Sequence, residues 1–217
     1  MKETWGLLAI TFVLMAVFCV LYRETKEREG FPKPVSTAFK TAATLCAAYF
    51  AMAGALRSGQ TAHWLIYAGL LTGAAADFAL RYDRVFGGIL FSAGHLLYCA
   101  AFCVLKAPGA ENIVCAAILC AGTVCLFVIF YKVIRREGGK KGSVLLLLYA
   151  LLEVITVSLA CTLHPVTICG TALFALSDIL LAYRVAADER NRGFGYIALG
   201  TYYIAQLLIA CTTVCAV

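Results

Sequence analysis

Charge is what this sequence has least of. Only 14% of its 217 residues are Asp, Glu, Lys or Arg, while 63% are hydrophobic, and the mean hydropathy is +0.89. Soluble domains carry about 25% charged and about 45–50% apolar residues. A chain this small has too little interior to hide such an excess, so a water-soluble globule is excluded. A small-residue cleavage site is also missing after the first apolar stretch, Trp5 to Tyr22. That stretch is long enough to span, so we expect no cleaved signal. Nor is there a Cys-x-x-Cys metal or redox pair in a polar setting. Each of the 11 cysteines falls inside an apolar run, where Cys acts as a small, polarizable filler.

What is present is a succession of apolar runs of about 18–22 residues, the length that crosses a bilayer. They cover 5–22, 35–56, 63–81, 86–106, 111–131, 143–163, 165–184 and 194–216. Short charged or Gly/Pro breaks separate them, the tightest at Leu163-His164-Pro165. The expectation is an all-α polytopic membrane bundle of about eight transmembrane helices, forming one transmembrane domain over 1–217. Small residues such as Gly69, Gly73, Ala172 and Ala175 suit close helix packing.

Loop cations orient the bundle. The breaks after the first, third, fifth and seventh runs hold Arg23, Lys26, Arg28, Lys33, Arg81, Arg84, Lys132, Arg135, Arg136, Lys140, Lys141, Arg184, Arg190 and Arg192. The opposite side holds Lys2, Arg57 and Lys106. Cytoplasmic loops collect Lys and Arg, so both termini are expected outside the cytoplasm. The net charge of +6 is thus loop bias rather than a nucleic-acid surface. With short loops, a bacterial plasma membrane is the expected location.

An internal repeat is also visible. Gly73-Ala-Ala-Ala-Asp77-Phe-Ala-Leu80-Arg-Tyr resembles Ala172-Leu-Phe-Ala-Leu-Ser-Asp178-Ile-Leu-Leu181-Ala-Tyr. Each segment leads through a basic loop to a Phe-Gly helix start, Phe86-Gly87 and Phe194-Gly195. Aligning those starts sets His95 opposite Tyr203 and Tyr98 opposite Gln206. The pattern predicts a parallel duplication of a four-helix unit.

Ionisable residues within membrane spans point to function by default. Here they are Lys40, Asp77, His95, Glu153 and Asp178, joined by Tyr202, Tyr203 and Gln206 in the last span. At about 1.5 Å per residue, Asp77 sits ~6–8 Å and Asp178 ~9 Å below the basic end, with Lys40 ~9 Å and His95 ~13 Å down. Tyr202 to Gln206 lie ~12–18 Å down. Glu153 lies near mid-membrane and reads as a protonated structural residue, while His63 and His164 read as interfacial. The shared layer predicts one cavity open to the cytoplasm or inner leaflet. The plain alternative is a set of structural ion pairs, Asp77 with Lys40 or Arg81 and Asp178 with Arg184.

Read in order, Lys33-Pro34, Gly73-x-x-x-Asp77, Phe86-Gly-Gly, Gly94-His95-Leu-Leu-Tyr98, Leu176-Ser177-Asp178-x-Leu180 and Thr201-Tyr202-Tyr203-x-Ala205-Gln206 resemble the YhhN-like family of membrane proteins, which includes the animal lysoplasmalogenases. Ala76 stands where the family pattern has Gly. The resemblance implies a hydrolase of the vinyl-ether bond of lysoplasmalogen-type lysophospholipids. Its products would be a fatty aldehyde and a glycerophospho-headgroup.

Vinyl ethers hydrolyse by protonation at the β-carbon and capture of the oxocarbenium ion by water. That chemistry wants one carboxyl protonated and one ionised. Asp77 and Asp178 are the expected pair, with their individual roles left open by the repeat. His95, Tyr202, Tyr203, Gln206 and Ser177 are expected to support them, and Lys40, Lys33 and Arg81 to meet the lipid phosphate. No metal or cofactor is expected; lysophospholipid and membrane lipids are the expected partners, with no nucleic acid. The rival from another class is a proton-coupled transporter of small molecules or lipids using the same carboxylates.

Overall fold

The structure, a computed structural model, describes residues 2–26, 28–186 and 191–215. These residues form eight helices and no strand: α1 (Lys2–Lys26), α2 (Lys33–Ser58), α3 (Thr61–Ala79), α4 (Arg84–Leu105), α5 (Ala110–Arg136), α6 (Gly139–Ala160), α7 (Pro165–Ala186) and α8 (Arg192–Cys211). Seven of them are long and apolar enough to cross a membrane, and the protein is an integral membrane protein. The other, α3, has 19 residues, about 28 Å of helix. It carries His63, Trp64 and Asp77 among its apolar residues. Of these, His63 and Asp77 are turned inward and buried, along with its glycines and Ile66.

The helices run further into the basic loops than hydropathy alone suggests. α5 continues through Lys132, Arg135 and Arg136, because long cationic side chains keep their stems along apolar surface and their heads in water. It reverses into α6 at Gly139, whose φ of 62° and ψ of −167° fall in a region open essentially to glycine alone. At the other end α8 stops at Cys211 instead of continuing to 216. Arg190 and Ala216 lie outside the described residues.

Helix starts are explicit. Asp83 caps α4 by accepting from the amides of Val85 and Phe86 at 2.8 and 3.0 Å. Asn191 caps α8 by accepting from Gly193 and Phe194 at 2.7 and 3.4 Å. Both caps satisfy orphan amides three residues before the Phe-Gly pair, so the two helices begin two residues earlier than those pairs suggest.

Neighbours in sequence pack most extensively: α3 with α4, α2 with α3, α7 with α8, and α1 with α2. α8 closes the bundle by also contacting α1, α2 and α3. Two glycines permit close approach. The ring of Tyr98 lies against Gly69, where a Cβ would come within 2.4 Å, and Thr213 lies against Gly54, where a Cβ would come within 2.1 Å. Two residues read as peripheral are interior. Arg23 is 2% exposed, with its guanidinium 5.2 Å from the Tyr196 ring, and His63 is buried with Nδ1 2.6 Å from Ser58 Oγ. Both shed water because α1 packs on α8 and α2 packs on α3 there.

Candidate functional site

Asp77 sits on the inward face of α3, one turn after Gly73. Its side chain is fully buried and pairs with Lys40 of α2, with Nζ 2.7 Å from Oδ1. Oδ2 accepts from Thr44 Oγ1 at 2.6 Å and from the Tyr202 hydroxyl at 2.8 Å. Lys40 and Thr44 are four apart, so one face of α2 supplies both. The Lys40 ammonium also lies 5.7 Å from the Tyr202 ring centre, and Tyr203 donates to the Lys40 carbonyl at 3.2 Å. Three helices thus converge on one carboxylate. An anion removed from water is tolerated when its oxygens are paired this way.

Asp178 of α7 has a different shell. The Tyr149 hydroxyl of α6 donates to its Oδ2 at 2.5 Å, and Ser177 Oγ lies 3.5 Å from Oδ1. The same phenol oxygen stands 3.3 Å from His95 Nε2, and His95 Nδ1 stands 3.1 Å from Thr156 Oγ1. Thr156 donates back to the Leu152 carbonyl at 3.0 Å. Glu153 is buried one turn from Tyr149 on α6, with Oε1 unpartnered. Tyr149, Glu153 and Thr156 follow the i, i+4, i+7 spacing of a single helical stripe.

Between the two shells stands an aromatic wall. The Phe174 ring centre is 5.0 Å from that of His95 and 5.5 Å from that of Tyr202, both near edge-on. Phe91 adds contacts at 6.3 Å to Phe174 and 6.2 Å to Tyr202. The described hydrogen bonds give Asp77 and Asp178 no common partner, yet each carboxylate and Lys40 lie within electrostatic reach of the other shell. In that low-dielectric interior a charge on one is felt strongly by the other.

Gln206 lies against the first shell. Its Oε1 accepts from the Tyr98 hydroxyl at 3.4 Å, joining the two residues that the repeat sets opposite each other. Its Nε2 is buried without a partner. A Cβ on Gly73 would stand 3.5 Å from that nitrogen, so bare backbone leaves the amide room. Of the three cations expected at phosphate, Lys40 is engaged by Asp77, Lys33 is exposed at the start of α2, and Arg81 is half-buried just past α3. Arg184, the structural partner considered for Asp178, lies near Gly195 of α8.

The sequence reading missed Thr44, Tyr149 and Thr156, neutral hydroxyls within apolar runs. Glu153, expected from the sequence to be structural, is buried within electrostatic reach of Asp178. Among the described residues, no group of three His, Cys, Asp or Glu is placed to hold a metal ion. All 11 cysteines are free thiols. An apolar groove of about 330 Å³ between α1 and α2, lined by residues such as Leu14, Phe18, Leu45 and Tyr49, shares no residue with either shell.

Comparison with known proteins gives a match to the model of the YhhN family over residues 35–213. No curated protein and no solved structure matches the chain.

Proposed function

The chain belongs to the YhhN family, and from that premise we propose that it is a membrane hydrolase that cleaves the vinyl-ether bond of single-chain, lysoplasmalogen-type phospholipids. The observation that carries the reading is the unequal pair of carboxylates. Asp77 is in direct contact with the Lys40 ammonium, while Asp178 accepts from a phenol. Acid-catalysed hydration needs that inequality: one group to give a proton and one to face positive charge.

A carboxyl proton adds to the β-carbon of the alkenyl group, and the ether carbon becomes an oxocarbenium ion. Water adds to that carbon and returns a proton to the carboxylate, leaving a hemiacetal. The hemiacetal hydroxyl proton passes to the glycerol oxygen as the carbon–oxygen bond breaks, releasing fatty aldehyde and the glycerophospho-headgroup. The unpartnered Gln206 amide is the candidate donor to the attacking water, since its buried donor lacks a protein acceptor. Lys33 and Arg81 are the candidates for the lipid phosphate, because the ammonium of Lys40 is already engaged. This reading puts the reaction toward the cytoplasmic leaflet.

Purified protein in nanodiscs, given an alkenyl lysophospholipid, is expected to release aldehyde and free glycerophospho-headgroup in equal amounts. Absence of turnover combined with solute flux in proteoliposomes would replace the hydrolase with a carrier.

A further inference from the structure

Four side chains from three helices form a continuous hydrogen-bonded line that ends on a backbone carbonyl. From Asp178 Oδ2 the line runs to the Tyr149 hydroxyl (2.5 Å), His95 Nε2 (3.3 Å), from His95 Nδ1 to Thr156 Oγ1 (3.1 Å), and to the Leu152 carbonyl (3.0 Å). A tyrosine hydroxyl has one proton, and a neutral imidazole has one N–H and one lone pair. With a neutral imidazole, those inventories give the line two arrangements that differ by one proton, Thr156 Oγ1 also having Cys99 Sγ at 3.3 Å.

In the first, Asp178 is protonated. Its O–H donates to Tyr149, Tyr149 donates to His95 Nε2, His95 Nδ1–H donates to Thr156, and Thr156 donates to the Leu152 carbonyl. Every donor has an acceptor, and no charge is present. In the second, Asp178 is ionised. Tyr149 donates to it, His95 Nε2–H donates to Tyr149, and Thr156 turns its proton from the Leu152 carbonyl to Nδ1. One proton separates the two, and it can enter at Nδ1 and leave at Oδ2 without any heavy atom moving. Asp77 has no such line: both its oxygens are held by donors, one of them an ammonium.

We propose that Asp178, Tyr149, His95 and Thr156 form a proton relay that makes Asp178 the acid, with Tyr149 as a positioning residue that decides where its proton lies. The assignment rests on the hydrolase reading for its chemistry, but the relay itself is a property of the resting protein. In the reaction, Asp178 gives its proton to the alkenyl β-carbon and becomes a carboxylate, which Tyr149 steadies by turning its hydroxyl proton toward it. The proton lost by the attacking water then restores the acid, directly or through His95. Asp77, held by Lys40, Thr44 and Tyr202 across the aromatic wall, neither gives nor takes a proton in this scheme. The groups that bias Asp178 are Tyr149 and Glu153 on α6, Ser177 beside it, His95 on α4, and Lys40 and Asp77 across the aromatic wall.

The experiment has two arms on the same purified full-length variants. In the first, infrared difference spectra between wild type and each variant monitor the C=O stretch of protonated carboxyl groups. Asp178→Asn is expected to remove one component, Tyr149→Phe to move that component to higher frequency, and Asp77→Asn to leave it in place. Glu153→Gln identifies any component belonging to that residue. In the second arm, Tyr149→Phe is expected to lower kcat for an alkenyl lysophospholipid by about 10²-fold with KM unchanged, and to alter the solvent isotope effect. A packing defect alone leaves the isotope effect as it is. His95→Gln serves as a second interruption should Tyr149→Phe fold poorly. The relay is overturned if the carboxyl component disappears with Asp77→Asn and survives Asp178→Asn. It is also overturned if Tyr149→Phe and His95→Gln both keep wild-type kcat and isotope effect. A wild type that releases no aldehyde removes the hydrolase reading, while the infrared arm still decides where the proton resides.

Discussion

The two buried carboxyls, Asp77 on α3 and Asp178 on α7, live in different conditions. Asp77 has three donors from two other helices, one of them a full positive charge, and none of its surface meets solvent. Asp178 has neutral hydroxyls, an imidazole one step away, and an unpaired buried Glu153 as neighbour. The helix before each aspartate supplies a partner: Lys40 and Thr44 of α2 for Asp77, and Tyr149 of α6 for Asp178. One aspartate thus meets an ammonium and the other a phenol, and two buried carboxyls differ in chemistry when one partner carries charge and the other does not.

The sharpest way to break the comparison is to neutralise each carboxyl in turn. Asp178→Asn and Asp77→Asn are each expected to cut aldehyde release from an alkenyl lysophospholipid by at least ~10²-fold, measured on protein that elutes as wild type by size exclusion. If both keep near wild-type rates, the pair has no part in turnover.

The two sites should differ more in stability than in activity. Lys40→Met strands a buried anion and is expected to cost about 3–5 kcal/mol in reversible denaturation in detergent. Adding Asp77→Asn should recover most of that loss without restoring activity. An additive double variant would mean that the 2.7 Å contact carries no coupling.

A smaller effect tests the packing around Gln206. Gly69→Ala pushes a methyl into the Tyr98 ring and is expected to cost about 1–3 kcal/mol by the same measurement. A neutral result would show that Tyr98, and the Gln206 oxygen it donates to, can shift freely. The smallest change is expected for Glu153→Gln, within about 1 kcal/mol of wild type, because the carboxyl it replaces already has an unpartnered oxygen. A loss as large as that for Lys40→Met would mean that Glu153 is ionised and paired.

Much of this was legible in the sequence because charge within a hydrophobic run is conspicuous. Lys40, Asp77, His95, Asp178 and the Tyr202–Gln206 cluster stand out by type alone, and all belong to or border the two shells. Tyr149 does not stand out, since tyrosine is common near membrane ends and its hydroxyl carries no charge. The signal that finds it is relational: with Glu153 and Thr156 it makes a polar stripe at steps of four and three on an otherwise apolar helix. Phe174 and Phe91 were beyond reach, because nothing distinguishes a wall phenylalanine from one facing lipid until α4, α7 and α8 are in place. Helix ends were misread where arginines and lysines continue a helix past its apolar stretch, as at Lys132–Arg136. The early starts of α4 and α8 were readable from Asp83 and Asn191, each three residues before Phe-Gly.

The link between Lys40 and Asp77 also bears on how the protein reaches the bilayer. The two residues belong to consecutive helices joined by a turn of only Gly59 and Gln60. Entering one helix at a time, each would take an uncompensated charge below the membrane surface, at a cost bounded by the about 2.5–3.5 kcal/mol of a helix centre. Entering as a hairpin, the pair arrives already neutralised, before the last helix has been synthesised to supply Tyr202. The order of birth on the ribosome therefore favours an α2–α3 unit that crosses together, with the later helices assembling around it.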